Sequence, residues 1–464
     1  MLDPDRLFPL DPKARGLARV LYNHVEGLPI ISPHGHTDPS WYALNEPFPN
    51  PAQLFVCPDH YVLRMLYSQG LRLEDLGLAP ADGSEFEQDG RAIWRRFAEH
   101  YHLFRGTPSK LWIDHALQDV FGWTTPLTAE TADAAYDAVA EMLEQPSHRP
   151  RALYERFNIE AIATTESPLD DLRHHKAMGD WTGRVLTTYR PDEVVDPDNP
   201  DFAKNLGKFA EITGEDTTTW EGYLAAHRAR RAAFQALGAT ATDHGHPSAR
   251  TEALSQTQAA VLFDKVLTGK ADAIEREVFR GQMLTEMARM SLEDGMVMQL
   301  HPGSHRNHAP YIFDRFGRDK GFDIPKPTEY VHALAPLLTE MGHDPRLTLI
   351  LFTLDETTYS RELAPMAGVY PCLRLGPPWW FYDSVEGIRR FRELTTETAG
   401  FYNTVGFNDD TRAFCSIPAR HDVARRCDAA YLATLACTGR LAEDEAHELM
   451  IDLSYTLAKK AYRL

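Results

Sequence analysis

Short apolar runs ending in polar residues recur along the chain, at 28–32, 159–165, 184–189, 239–242, 296–300, 347–354, 370–375 and 402–407. Many of their residues are β-branched or aromatic, and several runs are soon followed by a helical pattern. Buried parallel strands joined by helical crossovers have this pattern. Eight runs therefore predict a (β/α)8 barrel, with the fourth and seventh runs the weakest evidence for it. The alternation breaks after the first run. Ile93, Trp94, Phe97, Tyr101 and Phe104 form a stripe at helical spacing, which predicts a helix burying one face. Thr107-Pro108 has the form of an N-cap followed by proline, with Gly122 as a stop, and Thr131 begins a third helical pattern carrying Tyr136, Val139 and Leu143. The expected organisation is a barrel built from 1–39 and 158–464, with a helical insertion at 40–157.

Composition narrows the class of protein. With 464 residues, 43% hydrophobic and 25% charged, the chain is large enough for a barrel and too apolar to be disordered. Its 67 acidic against 48 basic residues leave a formal charge of -19, which repels phosphate backbones and anionic lipid. Nucleic acid and membrane are therefore not expected partners. An acidic small molecule is still admissible, because salt screens the long-range field over about 8 Å and a local arginine can dominate at contact. The acidic N-terminus predicts no export, and five cysteines without paired metal spacing predict reduced thiols in a cytoplasmic protein.

The candidate chemistry follows the runs. In a barrel, side chains at the carboxyl ends of the strands converge on one rim. Those positions hold His34, His36, Thr165, Glu166, Arg190, Asp243, His244, His301, Asp355, Asp410 and Arg412. His34-Gly35-His36 after the first run places two imidazoles on one side of an extended chain, so they can share a metal ion with an acid from the last run. Asp410 can accept a proton there, and Arg412 offers a rigid fork of donors to oxyanion charge. Three further features read as structural or solvated. His244-Gly245-His246, which follows Asp243, is expected to be mainly loop with His244 still able to face the rim, His174-His175 surface, and Arg228 to Arg231 a solvated helix face. Trp379-Trp380-Phe381 follows the seventh run, where the aromatic wall of a sugar pocket would stand.

From about Leu28 to Arg426 the chain resembles the uronate (glucuronate) isomerases of the amidohydrolase superfamily. The likeness rests on Pro33-His34-Gly35-His36, Asp59-His60-Tyr61 with Arg64, Thr164-Thr165, Arg190-Pro191-Asp192, Asp243-His244-Gly245, Gln299-Leu300-His301 with Arg306-Asn307, Trp379-Trp380-Phe381, Asp410 with Arg412, and Arg420-His421 with Arg425-Arg426. It departs at Val62, at Glu166-Ser167 and at Asn408-Asp409, and Pro302 follows His301. The resemblance implies a distorted (β/α)8 barrel with one divalent ion, zinc, held by His34, His36 and Asp410. It implies conversion of D-glucuronate to D-fructuronate and of D-galacturonate to D-tagaturonate, with Asp410, Arg412 and Tyr61 catalytic. Arg190, His301, Arg306, Trp380, Asp243 and His60 are the expected substrate contacts, with His301 open to a metal role as well. The expected partner is a small uronic acid, and a homo-oligomer is left open.

Moving a carbonyl from C1 to C2 requires loss of the weakly acidic C2 proton, hence a base and donors to hold enediolate charge in a dry pocket. The rival reading is a metal-dependent hydrolase on the same scaffold. Such enzymes place a carboxylated lysine or another acid at the fourth strand and a histidine at the sixth, where this chain has Asp243 and Asp355.

Overall fold

The computed structural model describes residues 2–464. Its strands are β1 (Ile30–Ser32), β2 (Ile159–Glu166), β3 (Val185–Tyr189), β4 (Ala241–His244), β5 (Val297–Leu300), β6 (Ser304–His305), β7 (Ile324–Pro325), β8 (Leu349–Leu351) and β9 (Leu373–Leu375). Seven of them form one curled parallel sheet in the order β1-β2-β3-β4-β5-β8-β9, and β6 with β7 makes a small antiparallel hairpin on the β5–β8 connection. This is the expected β/α barrel, distorted at its seam. The run at 402–407 contributes one parallel bridge, Thr404 to Leu375, rather than an eighth strand. The Thr404 N–H and hydroxyl both turn back to the Phe401 carbonyl at 3.1 and 2.7 Å, and Gly406 has a φ of 74°, so the extended chain is interrupted at both ends. The cylinder is joined instead beyond the strands, where the His36 N–H donates to the Thr411 carbonyl at 3.0 Å.

The two-residue period of the strands sorts the side chains. Ala241, Val297, Ile350 and Phe352 pack inside with Trp379, Val405 and Tyr462, whereas Met298, Leu300, Leu349 and Leu351 join the cluster under the helices. Continuing that period puts Asp243 on the inner face after Ala241, and Gln299 and His301 there after Val297. β4 is displaced by two residues from the expected run because Asp243 and His244 pair with Gln299 and Leu300, so His244 belongs to a strand, not a loop.

Between β1 and β2 the described chain is helical. The helix Gly90–Glu99 and the turn Tyr101–Phe104 bury the whole predicted aromatic stripe. Thr107 caps the helix Pro108–His115 by accepting the Lys110 N–H. Thr131 does not cap the helix Ala132–Leu143, because its hydroxyl donates to the Pro126 carbonyl at 2.8 Å. This layer packs on Ile30, Ile159 and Phe414 of the barrel, which brings the helix His60–Ser68 to the rim. Two stretches expected at the surface are buried in part: Arg228 stays exposed beside Glu293 and His174 is half-buried, but Arg230, Arg231 and His175 are buried. Arg231 forms an ion pair with Asp294, Arg230 donates to the Pro168 and Asp170 carbonyls, and His175 contacts the Thr164 hydroxyl at 2.9 Å.

Candidate active site

The sheet's carboxyl ends open into a cavity of about 450 Å³. His36, His60, Tyr61, Arg190, Arg306, Trp380, Asp410 and Arg412 line it, and His34, Asp243 and His301 are buried behind that wall. Asp355 is not part of the lining. Its carboxylate accepts the Thr328 N–H at 3.2 Å.

The imidazoles after β1 meet the acid of the closing loop. One Asp410 oxygen, Oδ1, lies 3.2 Å from His36 Nε2 and 3.5 Å from His34 Nε2. His301 stacks on His34 at 4.8 Å between ring centroids, and candidate donor atoms of His34, His301 and Asp410 fall within 4.8 Å of one another. Burial holds His34 neutral, pushing its pKa down to about 4, as a metal ligand requires. Burial alone would raise the Asp410 carboxyl, yet His34 and His36 hold it well below the ordinary carboxylate range. Asp410 also has a φ of 38°, in the left-handed region that non-glycine residues seldom adopt. Asn307, Asp319 and Trp380, all cavity residues, share that conformation, and for a bulky tryptophan it is a marked outlier.

The residues present fit a metal ion. His301 Nδ1–H donates to Asp243 Oδ1 at 2.6 Å, and its Nε2 is buried with no protein partner. A carboxylate that fixes one imidazole nitrogen and leaves the other free is a common support for a metal-ligating histidine. Asp243 is itself held by Arg190 at 3.0 Å, and Arg190 by Asp192 at 2.8 Å. Arg190 and His301 keep the Asp243 carboxyl well below its ordinary range against the opposing effect of burial. An ideal Cβ on Gly245 would lie 2.7 Å from Asp192 Oδ2 and closer still to the Arg190 guanidinium. Gly245→Ala is therefore expected to cost about 1–3 kcal/mol, read as a lowered midpoint in thermal denaturation.

On the opposite wall, the Asp59 carboxylate caps the helix His60–Ser68 by accepting the Tyr61 and Val62 N–H groups. That cap aims Tyr61 at the cavity, and its hydroxyl donates toward Asp383 Oδ2 at 2.7 Å. Burial holds His60 neutral, down to about 3, with the Arg412, Arg420 and Arg64 cations adding to the effect. Arg306 pairs with Asp323 at 3.0 Å and lies 5.6 Å from the Trp380 ring. Among the described residues, Arg412 makes no hydrogen bond or ion pair, so its donors remain available to a ligand.

Several lining residues lay outside the sequence-based candidates. Asp319 and Arg318 come from the β5–β8 connection; its charged Arg318-Asp319-Lys320-Gly321 stretch resembles an ordinary surface loop. Arg280 and His246 also line the cavity. Asp383 had no local signal at all, because its partners are distant in sequence.

A parallel β/α barrel with a His/Asp centre and a polar cavity at its carboxyl rim defines a barrel enzyme with metal-competent chemistry. Residues 12–462 match the glucuronate isomerase family, and the chain belongs to that family as an isomerase. It is 65% identical over 466 residues to the uronate isomerase of Mesorhizobium japonicum, covering 100% of this chain and 99% of that protein. The crystal structure of glucuronate isomerase from Caulobacter crescentus superposes with a TM-score of 0.98 at 56% identity, covering 100% and 97% of the two chains. That of uronate isomerase from Thermotoga maritima gives 0.92 at 27% identity, covering 100% and 99%. These relatives favour isomerisation over the hydrolase alternative.

Proposed function

We propose that the chain interconverts D-glucuronate with D-fructuronate and D-galacturonate with D-tagaturonate through an enediolate. One divalent ion, zinc, is held by His34, His36 and Asp410, with His301 at the same centre. The supporting observation is the placement of Asp410, Tyr61 and Arg412 around one cavity, with Arg412 unpaired and Asp410 against two imidazoles.

Bound there, the ion supplies Lewis acidity to the substrate carboxylate and the neighbouring hydroxyl. Asp410 accepts the C5 hydroxyl proton, and the alkoxide so formed on the sugar removes the C2 proton and returns it at C1. Tyr61 gives its phenolic proton to O1 and recovers one from O2, so the exchange of protons closes. Arg412 donates to the oxygens of the enediolate, where fixed donors outweigh water in a shielded site. Arg190 and Arg306 hold the carboxylate end, His301 and His60 fix hydroxyl positions, Asp243 orients His301 and Arg190 from behind the wall, and Trp380 walls the sugar. The segment 40–157 acts as an insertion that delivers His60 and Tyr61 to a barrel formed by 1–39 and 158–464. The enzyme works in the cytoplasm on a free small molecule; no described helix is long and apolar enough to cross a membrane.

Incubating the protein with each hexuronate in deuterated water tests this directly by NMR. Ketose resonances are expected to grow with both substrates. Hydrolysis of amide or ester substrates without any ketose would refute the proposal.

A further inference from the structure

Asp383 follows the short turn Trp380–Tyr382, outside the cavity lining, with its side chain 10% exposed. Two groups from the lining converge on one of its oxygens. Oδ2 lies 2.7 Å from the Tyr61 hydroxyl and 2.7 Å from Arg420 Nη1. The other oxygen, Oδ1, is buried without a partner. Arg420 is held in turn by the Trp112 ring, 3.6 Å from its guanidinium carbon, and by the Asp409 carbonyl at 3.2 Å. The Tyr61 hydroxyl also lies 3.0 Å from the Trp380 carbonyl.

Counting protons at this cluster is informative. A phenol has one proton to donate, and an ionised carboxylate and a carbonyl can only accept. With Asp383 ionised, the Tyr61 proton serves one of the two acceptors. With the proton on Asp383, the carboxyl donates to the phenol oxygen and the phenol donates to the Trp380 carbonyl, so both contacts are satisfied. The two arrangements use the same heavy-atom positions and differ by one proton. The charged and titratable groups around Asp383 are Tyr61 and Arg420 at contact and Asp410 farther off, while Asp59 acts on Arg420. Burial pushes the Asp383 carboxyl upward, and Arg420 opposes it.

We propose that Asp383 is a positioning residue for Tyr61, fixing the direction of its hydroxyl and exchanging a proton with it during turnover. This rests on the reading that Tyr61 serves the reacting end of the sugar. When the phenol O–H bond breaks and a sugar oxygen gains that proton, the Asp383 proton moves to the phenolate oxygen and leaves a carboxylate paired with Arg420. When the second sugar oxygen gives up its proton, both transfers reverse, and no co-reactant is needed.

The test is a double-mutant cycle on the metal-loaded enzyme, measuring kcat and KM for Tyr61→Phe, Asp383→Asn and the pair. Asp383→Asn is expected to lower kcat about 10–100-fold with little change in KM. In the Tyr61→Phe background the same change should alter kcat by no more than about twofold, because its route of action is gone. A merely structural role would lower kcat by the same factor in both backgrounds, and that result overturns the proposal. Full activity of Asp383→Asn beside an impaired Tyr61→Phe also overturns it, while leaving the role of Tyr61 intact. Full activity of Tyr61→Phe removes that role and this proposal with it. Should Asp383→Asn fail to fold, Asp383→Glu must show the same non-additivity with Tyr61→Phe.

Discussion

Asp410→Asn is expected to lower kcat by about 10³–10⁴-fold while the protein folds normally, which is at or near the upper limit for removal of a positioned proton acceptor. The substitution keeps the side-chain volume, and asparagine tolerates the left-handed backbone at least as well as aspartate does, so the φ of 38° creates no new strain. It removes the anionic oxygen that faces His36 Nε2 at 3.2 Å and His34 Nε2 at 3.5 Å. Rate and thermal midpoint are measured together. A kcat within tenfold of the parent protein would remove Asp410 from the mechanism, whereas a collapsed midpoint would make the loss a folding effect.

His34→Ala should have the second-largest effect, on metal content. The ring is buried and stacks on His301, and its Nε2 faces Asp410. Removing a direct ligand is expected to weaken binding at least as much as losing an outer partner does, so by at least about 10–100-fold. Elemental analysis after dialysis against a chelator reads this as near-absence of metal in the variant and retention in the parent. Equal content in both would take His34 out of the metal set. The lost ring also leaves space beside His301, so a drop of about 2–4 kcal/mol in stability is expected from chemical denaturation of the metal-free forms.

The sequence exposed the barrel and much of the site because both depend on local pattern. Five of the eight apolar runs contain their strands outright and the second falls one residue short of its strand's end, since a strand buried on both faces needs an unbroken apolar stretch. The fourth was displaced because Asp243 and His244 are polar strand residues, and polar residues in a strand look like loop. Their burial is offset by His301 and Arg190 on the Asp243 carboxylate and by the Thr242 hydroxyl on His244 Nε2, although His244 Nδ1 is buried without a hydrogen-bond partner. Arg230 and Arg231 misled for the same reason. A basic helix face normally points to water, but here Asp294 and backbone carbonyls provide partners that no window of sequence contains.

Residue type and two-residue spacing were enough to put His34 and His36 on one side, and to mark Asp410 and Arg412, after the last run, as their counterparts on the same rim. They also identified the aromatic stripe as one buried helix face. Only the folded chain decided that His301 shares the His34–Asp410 centre, that Asp383 stands behind Tyr61, and that the eighth run makes one bridge. Those outcomes depend on pairings separated by tens to hundreds of residues. Periodicity tells which way a side chain points, but the donor, acceptor or charge it meets is set by how distant segments pack.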